Sequence, residues 1–145
     1  NAPLDRGHAA TTLSYAQAAA TALAACMAAD PRIVVLGEDL GRGGVFGQYL
    51  LDGAPLAQRF GRDRIIDTPI SEANILGAAV GMALAGLRPV VEMRVIDFAL
   101  CAMDELVNQA AKNRFMFGGQ SRVPLVVRMP MGIWTASAAQ HSQSL

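Results

Sequence analysis

Charge is what this sequence has least of. Only 17% of its 145 residues are Asp, Glu, Lys or Arg, where about 25% is ordinary for a soluble domain. Twelve basic side chains balance twelve acidic ones, for a formal net charge of zero, which argues against a nucleic-acid binder. Lysine is almost missing: Lys112 stands alone against eleven arginines. Base composition favouring Ala and Arg codons explains that bias as well as any function does. Cysteine is scarce too. Cys26 and Cys101 lie far apart and offer no disulfide framework and no metal- or redox-type spacing. No stretch is long and apolar enough to cross a bilayer, and the start lacks both an initiator Met and the apolar core of a secretory signal. Residues 1–13 are therefore expected to be a ragged, processed or cropped terminus, and the protein cytoplasmic.

What is present instead is apolar surface. Hydrophobic residues make up 52% of the chain, which excludes a disordered segment, and the length suffices for one domain with a real core. Twenty-six alanines suit close helix packing. A domain with so little charge is expected to bury part of its surface against a partner.

The pattern alternates. Ser14 suits an N-cap for a helix over Tyr15 to Ala29, which Asp30-Pro31 stops. Ile33 to Leu36, ending at Gly37, reads as a strand buried on both faces. A glycine-rich loop follows over Gly41 to Gly47, then a short helix over Pro55 to Phe60 and a strand over Arg64 to Asp67. Thr68-Pro69-Ile70-Ser71 leads into a helix from Glu72 to Ala85, with Ser71 as its cap and Gly86 and Pro89 as its stop. A third strand is expected over Pro89 to Met93. Next comes a helix over Asp97 to Phe115, with a polar stripe of Asp104, Glu105, Asn108, Gln109 and Lys112, buried on more than one side. Gly118-Gly119 breaks it, Pro124 to Met129 reads as a fourth buried strand, and the tail is loop. Alternating helices and buried strands define an α/β layered fold around a mainly parallel sheet. The absence of a closing element suggests a truncated domain.

In such sheets, ligand sites gather at the carboxyl ends of the strands. Four segments fall there: Gly37 to Asp39, Thr68 to Glu72, Arg94 to Phe98, and Arg128 onward. Glu72 is favoured in a first helical turn by the macrodipole alone, but it also follows a restricted Pro-containing turn that would hold a functional carboxylate. His141 is the one histidine outside the terminus, and a histidine in a polar loop is commonly just solvated. The glycine loop fits neither dinucleotide- nor phosphate-binding spacing. No metal-ligand cluster and no Ser-His-acid motif is legible.

Exact strings go further than spacing. Val35-Leu36-Gly37-Glu38-Asp39, Arg64 through Glu72, Ala85-Gly86-Leu87-Arg88-Pro89-Val90-Val91-Glu92, Val107 through Lys112, and Ala139-Gln140-His141-Ser142-Gln143 occur in this order. Together they closely resemble the β subunit of thiamine-diphosphate-dependent 2-oxo acid dehydrogenase E1 components, the family of pyruvate, branched-chain 2-oxo acid and acetoin dehydrogenases. The resemblance runs from about Leu13 to Leu145.

That resemblance implies a three-layer α/β/α pyrimidine-binding, transketolase-like domain over residues 14–145, incomplete at its carboxyl end. It implies that Glu72 is the glutamate that hydrogen-bonds the cofactor's pyrimidine ring, controlling its tautomer and orientation. Phe98 matches an aromatic packed on that ring, although a core Phe would have the same apolar neighbours. His141 matches a histidine facing the substrate and the lipoyl arm, a general acid or charge stabiliser. Arg94 stands beside the pyrimidine where the family commonly carries Gln or Met, and Met129 to Trp134 departs from the Gly-rich stretch of pyruvate enzymes. Both departures leave the substrate open.

The family's Gly-Asp-Gly motif for diphosphate and Mg2+ does not occur here. In relatives it sits on the α subunit, so thiamine diphosphate would be shared with that subunit and this chain would bind no metal. Implied partners are the E1 α subunit, a second β subunit in an α2β2 heterotetramer, the lipoyl domain of the E2 acyltransferase and a 2-oxo acid. Neither nucleic acid nor membrane is among them. Another thiamine-diphosphate enzyme of the transketolase class, and an assembly module inactive without its α subunit, remain as alternatives.

Overall fold

The computed structural model describes residues 12–42, 49–132 and 137–145. Most of the expected ragged terminus, Gly43, Gly44 and Gly47 of the glycine loop, and Ile133 and Trp134 of the divergent stretch lie outside the described residues.

Helix α1 spans Tyr15–Ala29, as its composition predicts. The Ser14 hydroxyl accepts the Gln17 amide at 3.2 Å, and the Gln17 side-chain oxygen accepts the Ser14 amide at 3.0 Å. This reciprocal cap satisfies two donors that the helix leaves unpaired. Ala20, Leu23, Ala24 and Met27 form its buried stripe. At its other end the Asp30 carboxylate takes the guanidinium of Arg32 at 2.8 Å and that of Arg88 at 3.3 Å.

Among the described residues four strands follow: β1 (Ile33–Glu38), β2 (Ile65–Thr68), β3 (Arg88–Glu92) and β4 (Val126–Arg128). They pair in the order β2-β1-β3-β4, all parallel. Because side chains alternate along a strand, β1 sends Val35 to one face and Leu36 to the other. Val35, Ile65 and Val90 pack with Leu23 and Met27 of α1 and with Leu56 of α2 (Leu56–Phe60). Leu36 and Val91 pack with Ile75, Leu76 and Ala79 of α3 (Glu72–Leu84) and with Met93 and Ala102. Helices cover both faces, giving three layers.

At the amino-terminal edge of the sheet, Arg64 is a staple. Its guanidinium donates to the carbonyls of Met27 at 2.9 Å, Asp30 at 2.9 Å and Ile33 at 2.8 Å, and lies over the Phe60 ring. Two of those carbonyls belong to the end of α1, where the helix leaves acceptors unpaired.

Three expectations need correction. The single helix over Asp97 to Phe115 is instead a 3-10 segment (Ile96–Ala102), a π-helical segment (Glu105–Ala110) and α4 (Ala111–Met116). The polar stripe fits the widened turn. The Asp104 carboxylate accepts Asn108 at 2.6 Å and Gln109 at 3.2 Å, four and five residues on. Nor is this region buried on several sides: no residue of the π-helical segment is buried, and Phe115 is 89% exposed. Likewise β4 is a half-open strand, with Val126 53% exposed. Apolar composition alone does not say which residues the core of the domain covers. Finally, Ser71 begins α3 but its hydroxyl makes no cap; it accepts the Asn74 side chain at 2.7 Å.

Candidate functional site

The parallel register brings one row of residues level at the carboxyl end of the sheet. Asp67 on β2 pairs with Gly37 on β1, Gly37 with Glu92 on β3, and Glu92 with Arg128 on β4. The row dictates Gly37. A β-carbon there would lie 2.4 Å from the Glu92 carbonyl oxygen, so no larger residue fits. Glu92 is 2% exposed, and Arg128 holds its carboxylate at 2.8 Å. A charge buried this deeply is tolerable only with such a partner.

Above this row the chain turns sharply after β1. The Leu40 amide donates to an Asp67 carboxylate oxygen at 3.2 Å, and a β-carbon on Gly41 would come within 2.8 Å of the other oxygen. Asp39 takes a left-handed backbone with φ of 58°, an uncommon conformation away from glycine. Its carboxylate reaches the Arg94 guanidinium at 3.6 Å.

Glu38 sits beside that pair, and its carboxyl is pushed above the ordinary range. Burial is the main cause, and the negative charge of Glu72 adds to it. Arg94 acts in the opposite direction, and Asp39 pushes the same way as Glu72. Glu72 itself is half-buried in the first turn of α3, where the turn through Pro69 delivers it. Just before that turn, at the end of β2, the Thr68 hydroxyl is buried with no hydrogen-bond partner among the described residues.

A second group assembles beyond β3 and β4. The 3-10 segment after β3 carries Asp97 and Phe98. Its start is tied to the chain leaving β4, with the Ile96 amide donating to the Pro130 carbonyl at 3.0 Å. Phe98 and His141 meet edge to face, ring centres 5.3 Å apart and planes at 86°, the arrangement that aromatic quadrupoles favour. Both are half-buried.

The structure thus gathers the sequence candidates into two groups. Glu72 and Arg94 share the electrostatic surroundings of Glu38; Phe98 and His141 share a ring contact. The segment from Met93 to Phe98 runs from one to the other. Sequence reasoning placed Gly37 to Asp39 on this edge but did not single out Glu38. A carboxylate ending an apolar strand was the available signal. It missed the Glu92–Arg128 pair and Asp97 for the same reason: charged residues at strand ends become informative only once the register is known. Among the described residues no group of three His, Cys, Asp or Glu could hold a metal ion. No helix among them is long and apolar enough to cross a membrane.

An all-parallel α/β domain with its polar residues massed at the carboxyl edge is the class this geometry defines. The transketolase pyrimidine-binding domain family matches residues 11–145, and the chain belongs to it. It is 41% identical to the β subunit of acetoin:2,6-dichlorophenolindophenol oxidoreductase of Bacillus subtilis (strain 168), over 94% of this chain and 42% of that protein. It is 47% identical to the pyruvate dehydrogenase E1 component subunit beta of Rickettsia bellii (strain RML369-C), over 81% of this chain and 35% of that one. The chain therefore spans less than half the length of these relatives. Among solved structures, a split-gene transketolase described as an inactive beta4 tetramer shares the fold, with a TM-score of 0.59 at 20% identity, over 80% of this chain and 33% of that one.

Proposed function

We propose that the chain is the pyrimidine-binding part of the β subunit of a thiamine-diphosphate-dependent E1 2-oxo acid dehydrogenase. The assembled enzyme would decarboxylate a pyruvate-like or branched-chain 2-oxo acid oxidatively and pass the acyl group to a lipoyl carrier. The observation that carries this reading is the half-buried Glu72 in the first turn of α3, within the field of a second carboxylate, Glu38.

The donor set fits an aminopyrimidine. Glu72 supplies a carboxylate for a ring nitrogen, Phe98 an aromatic face, and the Thr68 hydroxyl, without a partner among the described residues, leaves polar capacity at the same edge. When bound, thiamine diphosphate supplies the electron sink that decarboxylation needs; the protein supplies orientation and electrostatics. Glu72 would hold the pyrimidine through a hydrogen bond to its ring nitrogen. Burial first, and the charge of Glu72 second, make Glu38 resist ionising beside it. Arg94, paired with Asp39 at 3.6 Å, favours the charged form of Glu38 against burial and Glu72. His141, braced on Phe98, serves the substrate side as a general acid or charge stabiliser.

The E1 α subunit would hold the diphosphate and Mg2+, and a second β subunit would complete an α2β2 enzyme. The E2 lipoyl domain would receive the acyl group, in the cytoplasm. The exposed Phe115, Met116 and Phe117 and the open β4 suit a chain that is covered in an assembly.

Acetoin cleavage is the second reading, favoured by 41% identity across 94% of the chain to the acetoin-oxidoreductase β subunit. The full-length β subunit with its α subunit, thiamine diphosphate and Mg2+, assayed with an artificial electron acceptor, separates the readings. Pyruvate or a branched-chain 2-oxo acid should reduce the acceptor at least tenfold faster than acetoin. Faster turnover of acetoin establishes the second reading, and no turnover of any of them leaves an assembly module.

A further inference from the structure

Asp97 has no part in the chemistry above, yet it is 5% exposed at the head of the 3-10 segment. One of its oxygens, Oδ1, accepts the backbone amide of Gln143 at 3.3 Å across 46 positions of sequence. The other, Oδ2, is buried without a hydrogen-bond partner among the described residues. So is the hydroxyl of Ser142, the residue before that amide. The next residue after Asp97 is Phe98, whose ring meets His141. One hydrogen bond and one ring contact therefore join the same two short segments, 97–98 and 141–143.

Burying a carboxylate for one long hydrogen bond is costly. An apolar side chain of similar size would fill the space without that cost, so packing does not account for Asp97. What it provides is an acceptor that fixes one donor, the Gln143 amide, on the segment that carries His141. The leftover acceptor and donor, Asp97 Oδ2 and Ser142 Oγ, are chemically complementary and lie on those same two segments.

We propose that Asp97 is the positioning residue of His141: by holding the Gln143 amide it keeps the imidazole braced against Phe98. This rests on the reading of His141 as the substrate-side residue, and the test separates the two. In the assembled enzyme, Asp97→Ala should lower kcat about 10- to 100-fold, the loss that misplacing a catalytic group by about 1 Å produces. His141→Ala should lose at least as much, and Asp97→Ala should add nothing in the His141→Ala background. Asp97→Asn, whose amide oxygen still accepts from Gln143, should restore most of the rate.

Crystal structures of the two Asp97 variants give a readout apart from turnover. Residues 141–143 should leave Phe98 in Asp97→Ala and stay in Asp97→Asn. Multiplying losses, an undisturbed Phe98–His141 contact in Asp97→Ala, or equal damage from both Asp97 variants would overturn the proposal. If His141→Ala turns over normally while Asp97→Ala displaces the segment, the substrate-side role of His141 falls and the positioning role stands.

Discussion

The two ends of the parallel sheet treat charge in opposite ways. At the amino-terminal edge the described charges are spent on structure: Arg64 donates to three carbonyls, and Asp30 gathers Arg32 and Arg88. Those partners hold the Asp30 carboxyl at about 2, chiefly through its hydrogen bonds with Arg32. At the carboxyl edge charge is left in tension. Glu38 is pushed upward by burial and by Glu72. Of the four buried side-chain atoms without a partner among the described residues, Thr68 Oγ1, Asp97 Oδ2 and Ser142 Oγ lie there, and only Thr21 Oγ1 of α1 lies elsewhere. One sheet thus carries a satisfied end and an unsatisfied one. Unsatisfied polar capacity is what a fold alone has no use for and a ligand does.

Breaking the buried ion pair of the carboxyl edge should have the largest effect on stability. Arg128→Ala leaves the Glu92 carboxylate buried without its 2.8 Å partner, and should cost about 3–5 kcal/mol in urea unfolding. Glu92→Gln combined with Arg128→Ala should recover part of that loss. At the opposite edge, Arg64→Met takes the guanidinium donor from the carbonyls of Met27, Asp30 and Ile33 and leaves that of Asp30 with the Ile33 amide at 3.3 Å. It should cost about 1.5–3 kcal/mol while leaving kcat per folded site unchanged. A fall in kcat with stability intact would blur the distinction between the two ends.

The smallest effects sharpen it most, because the two ends should respond to pH with opposite sign. The Asp30 carboxyl is lowered from 3.8 to about 2. Its contribution to stability is therefore present above about pH 4 and lost as pH falls toward 2. Asp30→Asn should be less stable than the parent at pH 6, with the gap closing in acid. The Glu38 carboxyl is raised from 4.5, so its contribution is full below that pH and is lost as pH rises through the folded value. Glu38→Gln should match the parent below pH 4.5 and gain on it above. Urea midpoints measured across pH 2–8 check both, and parallel curves would show that the ends do not differ.

Much of this was legible in the sequence, for identifiable reasons. Ser14 and Gln17 announce the start of α1 because a cap is a local device. The apolar runs of β1 and β3 announce buried parallel strands because helices cover both faces. Glu72, Phe98, Arg94 and His141 were named from strings that resemble a family, and the fold brings them to one edge in two groups. Glu38, Glu92 and Asp97 stayed hidden because their meaning depends on register and on contacts up to 46 residues distant. The exposure of Phe115 and Val126 was not legible because hydropathy does not say which apolar side chains the domain's own core reaches.

We propose the carboxyl edge as a catalytic site built around Glu72. Its most direct test is the decarboxylation rate of the assembled enzyme carrying Glu72→Gln, with thiamine diphosphate shown to be bound. Removing the carboxylate while keeping its shape should lower kcat by about 10²- to 10⁴-fold, the range for a positioned acid–base group, with the urea midpoint unchanged. An unimpaired rate with bound cofactor would contradict the account.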